Sequence, residues 1–225
     1  MSQPECVWLL RHAETATPHV FHGAESDEPL GELGHRQAEA LGEWFVEQRP
    51  TAVVSSAMRR AVATAAPVAR LCAVPHTIEP GLHERRVGDF CGRPFAEVEV
   101  PWHATVAHWT AGDTGFTTPG AESYDDLRTR LLDAWLRTVA AHAGARLVVV
   151  AHGIVCKVLL LELLPDHGPT AWARLGRVPN VAVSCLRMTP RGYEAAPLLT
   201  VPEPVLALNG GLPTGLGAVS TRPTV

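Results

Sequence analysis

At 225 residues, with 46% apolar and 19% charged side chains, the chain has the composition of a globular protein that can bury a full core. A net charge of −4 and the lack of any run of five basic residues argue against nucleic acid as a partner. They leave room for an anionic small molecule, because a few clustered arginines can dominate the field of one pocket. No stretch approaches the 18 or so uncharged apolar residues of a membrane span, and the opening Met1-Ser2-Gln3-Pro4-Glu5 is not a signal peptide, so a cytoplasmic protein without a membrane partner is expected. Five scattered cysteines (Cys6, Cys72, Cys91, Cys156, Cys185), with no C-x-x-C, read as reduced thiols rather than a disulfide framework or a zinc site.

The first element is the apolar run Val7-Trp8-Leu9-Leu10, a strand covered on both faces, and Arg11-His12 follows where it should stop. Ala16 to Gly31 reads as a polar surface loop. Leu33, Gln37, Leu41, Trp44/Phe45 and Gln48 then fall at helical spacing, with Pro50 just beyond. Ala52-Val53-Val54 is a second strand, and Ser55-Ser56 stand where they can cap a helix from Met58 to about Leu71. A weak third strand lies around Thr77-Ile78. The irregular stretch from Gly81 to Gly120, with one or two short helices, reads as a cap inserted over about 88–121. Ser123 and Asp126 form a capping box that opens a helix to about Ala143. Leu147 to Ala151 is the strongest strand, followed by His152-Gly153 and a helix from Ile154 to Leu164. Val181 to Leu186 closes the core, with Tyr193 to Ala196 beside it. Strands alternating with helices predict a three-layer α/β/α sandwich with a mainly parallel sheet over 1–196. The Pro- and Gly-rich remainder, 197–225, reads as a tail whose last 20 or so residues are flexible or draped on the surface.

Polar residues of one chemical type arrive at the strand ends, where open α/β sheets bind ligands. The first strand delivers Arg11 and His12, the second Ser55, Ser56, Arg59 and Arg60, and the fourth His152 at a helix start. Arginine forks and helix N-termini suit a compact, multiply charged anion such as phosphate. The chain has no nucleoside-triphosphate loop and no D-x-D at a strand end. No cysteine stands in the phosphate loop of a thiolate phosphatase, and no His-Asp cluster has metal-ligand spacing. Histidine remains as the nucleophile.

Leu10-Arg11-His12-Ala13-Glu14-Thr15 resembles the R-H-G-E-T signature of the histidine phosphatase superfamily, whose fold is phosphoglycerate-mutase-like. Further matches follow in order to about residue 190: Ser55 to Thr64, which selects Arg60 over Arg59; Leu82-His83-Glu84-Arg85 with Gly88 and Gly92; Pro119 to Ser123; and Val150-Ala151-His152-Gly153. The resemblance implies His12 as the nucleophile and Arg11, Arg60 and His152 as holders of the phosphoryl oxygens. It implies Glu84 as the acid that protonates the leaving oxygen and then activates water. Gly153 and Thr15 join the phosphate-binding set, and no metal or other cofactor is implied. Ala13, where the signature has Gly, would be strained if its φ were positive. Mutases of the family need extra cations in the cap, whereas Cys91 to Thr118 holds a single Arg (Arg93), no Lys, and the aromatics Phe95, Trp102, Trp109 and Phe116. A phosphatase acting on a small phosphomonoester, as monomer or homodimer, is therefore expected over a phosphoglycerate mutase or a catalytically weak phospho-ligand-binding module.

Overall fold

The computed structural model describes residues 3–215. Its sheet has six strands, β1 (Cys6–Arg11), β2 (Ala52–Ser55), β3 (His76–Ile78), β4 (Arg146–Ala151), β5 (Val183–Thr189) and β6 (Gly192–Ala195), in the order β3-β2-β4-β1-β5-β6. The first four in that order run parallel, and β5 and β6 are antiparallel. The apolar runs of β1 and β4 are buried along their length, so helices must cover both faces. On one side α1 (Glu32–Gln48) packs with α2 (Arg59–Cys72), and on the other α4 (Tyr124–Ala141) packs with α5 (Gly153–Leu163). Trp8 anchors β1 to α1 through an edge contact with Phe45, at 5.6 Å between ring centres. The expected architecture is therefore the observed one.

Three local readings change. Ser55 and Ser56 do not cap α2. Ser56 Oγ accepts from Met58 N, and the Arg59 N–H at the helix start is taken by the Asp27 carboxylate of the preceding loop at 2.7 Å. The cap contains one long helix, α3 (Phe95–Thr110), which runs through Pro101 and buries Val98, Trp102, Thr105 and Trp109 on one face. The closing strand begins at Val183 rather than Val181, because Val181 has a φ of 52° that turns the chain out of the ladder. A left-handed β-branched residue is uncommon, and such a conformation costs roughly 1–3 kcal/mol.

Residues 206–215 do not lie loose. Thr200 pairs with Val183, α7 (Glu203–Ala207) packs on α1, and the chain then returns to the end of β1. There Asn180 N donates to Thr214 O at 3.0 Å, and Gln37 Nε2 donates to Thr214 Oγ1 at 3.1 Å. The expectation for 216–225 lies outside the described residues.

The loop carrying Glu84 is fixed from α4. The capping box at Ser123 forms as expected, and it presents Glu122 to the loop. Arg130 donates two bonds of 2.9 Å to the Glu122 carboxylate and further bonds to Gly81 O and His83 O. Glu122 also accepts from Arg86 N at 2.8 Å. Burial alone would raise the Glu122 pKa, but these donors hold it below the usual carboxylate range. Removing Arg130 leaves a buried carboxylate half-satisfied, so Arg130→Met should cost about 3 kcal/mol of stability. Urea denaturation checks this as a lowered midpoint at unchanged slope. Turnover should fall as well, because the loop holding Glu84 loses two of its carbonyl anchors.

Candidate active site

Register brings the site together. Arg11 pairs with Ala151 and Ser55 with Val150, so β1, β2 and β4 end at one edge of the sheet. His12 N then donates to Ala151 O at 2.9 Å and Ser56 N to Val150 O at 3.0 Å, extending the ladder by one residue into the site. The edge opens onto a cavity of about 490 Å³, within the usual range for small-ligand sites. Arg11, His12, Thr15, Arg60, Glu84 and Gly153 all line it. His152 does not line the cavity. It is fully buried, with its ring centre 5.2 Å from that of His12.

Each group has a fixed orientation. His12 Nδ1 lies 2.7 Å from Ala13 O. A carbonyl oxygen only accepts, so Nδ1 carries the proton and Nε2 keeps its lone pair. Ala13 has no positive φ, so its methyl is tolerated, and its N–H donates to Thr64 Oγ1 at 3.0 Å. Arg60 donates to Ser26 O and Gly23 O, and Arg11 Nη1 donates to Val178 O. His152 Nε2 meets Ser56 Oγ at 2.9 Å. Two buried polar atoms at this end have no partner among the described residues, Arg11 Nε and His152 Nδ1. Buried polar groups are rarely left unpaired, and an unpaired guanidinium N–H together with an unpaired imidazole nitrogen marks a place for an anion. Gly153 keeps that place open, since a Cβ there would lie 3.4 Å from Arg11 Nε. Glu84 stands across the site, accepting from Arg85 N at 2.9 Å and, more loosely, from Ile154 N at 3.4 Å.

The electrostatics follow from burial. Desolvation, then Arg60 and Arg11, hold the His12 pKa well below its ordinary value. His152 is lowered by burial, then by Arg60 and His12. Both imidazoles are neutral at pH 7. Burial also lowers Arg11 to about 10, which leaves it charged at pH 7. Among the described residues no three His, Cys, Asp or Glu side chains are grouped to hold a metal ion.

Several contributors were not legible as site residues. Asn180 is buried beside Val181, and its side chain donates to His12 O at 2.9 Å. Gln37, read only as a helix position, accepts from Glu14 N at 2.9 Å. Gly215 lines the cavity with a φ of +124°, and a Cβ there would come within 2.8 Å of Arg11 Nη1. The cap aromatics divide between two roles. Trp109 is core, donating to Phe116 O, while Trp102 and Phe95 line the cavity. Arg85 lies over both tryptophans, 5.3 and 5.2 Å from their ring centres, and ties the loop carrying Glu84 to the cap. Cations also reach the cavity from outside the cap, as Lys157 on α5 and Arg177 in the turn that follows α6 (Trp172–Leu175).

Known proteins are similar to this chain in sequence and in fold. The family model of the histidine phosphatase superfamily, branch 1, matches residues 7–198. A metal-independent phosphoserine phosphatase of Arabidopsis thaliana is 34% identical over 186 residues, 80% of this chain and 75% of the plant protein. A probable phosphoglycerate mutase of Yersinia pestis is 31% identical over 168 residues, 72% of this chain and 76% of that protein. The solved structure of a mycobacterial glucosyl-3-phosphoglycerate phosphatase superposes with a TM-score of 0.73 at 25% identity, covering 88% of this chain and 99% of that one. With a match that runs from the opening strand past the far edge of the sheet, the chain belongs to branch 1 of the histidine phosphatase superfamily.

Proposed function

We propose that the chain is a phosphomonoester phosphatase that works through a phosphohistidine on His12 and acts on a small phosphorylated metabolite. The observation that carries this reading is the pinned tautomer of His12, a neutral imidazole whose Nε2 keeps its lone pair, in a ring that feels the charges of Arg60 and Arg11 and lies 5.2 Å from that of His152. The Nε2 lone pair attacks phosphorus, and the bond from phosphorus to the ester oxygen breaks. Glu84 acts as the general acid and gives a proton to the departing alkoxide. The phosphoimidazolium keeps its Nδ1–H on Ala13 O, while Arg11, Arg60 and the Nδ1 of His152 hold the three phosphoryl oxygens. In the second step Glu84, now a carboxylate, takes a proton from water as the oxygen attacks phosphorus. The N–P bond breaks, inorganic phosphate leaves, and both His12 and Glu84 return to their starting states.

Hydrolysis is favoured over mutase chemistry because residues 91–118 bring no Arg or Lys to the cavity, which leaves Lys157 and Arg177 as its cations beyond Arg11 and Arg60 among the described residues. The single Arg of that segment, Arg93, pairs with Glu97 at 3.7 Å, and both side chains are exposed. A coupled assay for conversion of 3- to 2-phosphoglycerate with the bisphosphorylated primer separates the two readings, and turnover there would overturn hydrolysis as the main activity.

His12→Ala should lower turnover of p-nitrophenyl phosphate by roughly a thousandfold or more. It should also abolish the acid-labile phosphoenzyme trapped by rapid quench. Glu84→Gln should cost about 10²–10⁴ on alkyl phosphates. On aryl phosphates the first turnover should survive as a burst of phenol, because a good leaving group needs no proton. Stability should also depend on the buried imidazoles. The unfolded chain takes up protons near pH 6.5 that folded His12 and His152 refuse, so stability is complete above that pH and falls as pH drops below it. Each histidine contributes a slope of up to about 1.4 kcal/mol per pH unit. Unfolding free energies between pH 7 and 5 should therefore show a shallower slope in His12→Asn than in the wild type.

A further inference from the structure

Among the 19 Lys and Arg residues of the chain, Lys157 is the sole lysine. It stands in α5, where every other side chain from Ile154 to Leu161 is apolar. It is 9% exposed and lines the active-site cavity with Ile154, Trp172, Arg177 and Val178. Its ammonium donates to Gly176 O and lies 4.4 Å from the centre of the Trp172 ring. Among the described residues no carboxylate is within ion-pair distance of it. A lysine ammonium has three donors, and the protein occupies one of them with a neutral carbonyl. A buried cation compensated so thinly is costly to keep. Burial pushes its pKa down to about 8, which leaves it mostly charged at pH 7.

The position is informative. Lys157 follows His152 by five residues, about 7.5 Å along the helix axis. Helical side chains lean back toward the N-terminus, here the phosphate end of the site. Building on the phosphatase reading above, we infer that Lys157 receives a carboxylate carried by the substrate, so that the enzyme acts on a small phosphomonoester of a hydroxy acid. The wall around the ammonium is apolar at Ile154, Val178 and Trp172, which suits a singly charged group better than a second phosphate dianion. Arg177 on the same wall adds positive potential. Glu14 and Glu99 also line the cavity, so an ammonium on the same substrate would find a carboxylate there.

The test uses two phosphonates that differ only in the carboxylate, 2-amino-4-phosphonobutanoate and 3-aminopropylphosphonate, neither of which can be hydrolysed. By calorimetry the wild-type protein should bind the first roughly tenfold more tightly. Lys157→Met should erase that preference and Lys157→Arg should keep it. With substrates, Lys157→Met should raise KM for phosphoserine relative to phosphoethanolamine while kcat moves less. Equal binding of the two phosphonates by the wild type overturns the inference, whatever the stability of the variants. So does a preference that survives in Lys157→Met. Should the carboxylate preference hold while no phosphomonoester is turned over in a His12-dependent way, the phosphatase reading falls and the subsite stands.

Discussion

Two guanidinium groups, Arg60 buried and Arg11 half-buried, stand at the end of one sheet with only carbonyl oxygens to hold them. Arg11 leans on Val178 O, and Arg60 on Ser26 O and Gly23 O. Neither has a carboxylate within ion-pair distance among the described residues, although Glu84 acts on both from across the site. Removing such charges from water is expensive, and the expense is tolerable only where backbone dipoles are pre-aimed. Much of the chain serves that aim. The polar loop after β1 supplies the carbonyls for Arg60, the turn after α6 supplies the one for Arg11, and the parallel register of β1, β2 and β4 sets the distance between them. On the proposed reading, the phosphate dianion of the substrate supplies the missing counter-charge.

The same positive field decides the chemistry of the histidines. The His12 imidazole stays neutral through its burial and the nearby charges of Arg60 and Arg11, as the proposed nucleophile must, and the bond from Nδ1 to Ala13 O chooses which nitrogen is free. The field and the tautomer come from separate parts of the structure. Burial and the arginines set the first, and the carbonyl of the next residue sets the second.

The strand ends were legible in the sequence because their signal is local. Four apolar residues followed by Arg-His, or five followed by His-Gly, say where a buried strand stops and what it presents. The capping box at Ser123 was legible for the same reason. Asn180, Gln37 and Arg130 were not, because each acts on a residue tens to more than a hundred positions away, and nothing in their own neighbourhoods marks it. Lys157 was hidden differently. It is a single polar residue in an apolar helix, well outside the cap where the family resemblance places extra cations. The cap did hold the aromatics, but half of its tryptophan pair turned out to be core. The helix cap on α2 failed as a reading because a carboxylate from another loop, Asp27, had taken the place that Ser55 and Ser56 would have filled.

The strand order also has a consequence for how the molecule is made. β1 leaves the ribosome first, yet its two neighbours in the sheet begin at Arg146 and Val183, and the wall beside Arg11 is completed by Gly215. His12 therefore waits through most of synthesis for the residues that will enclose it. Contacts so distant in sequence slow folding, since long loops must close before any pairing rewards them. Until then the apolar β1 run has no partner strand, and the nascent chain depends on α1, which follows within about two dozen residues, to cover one face of it.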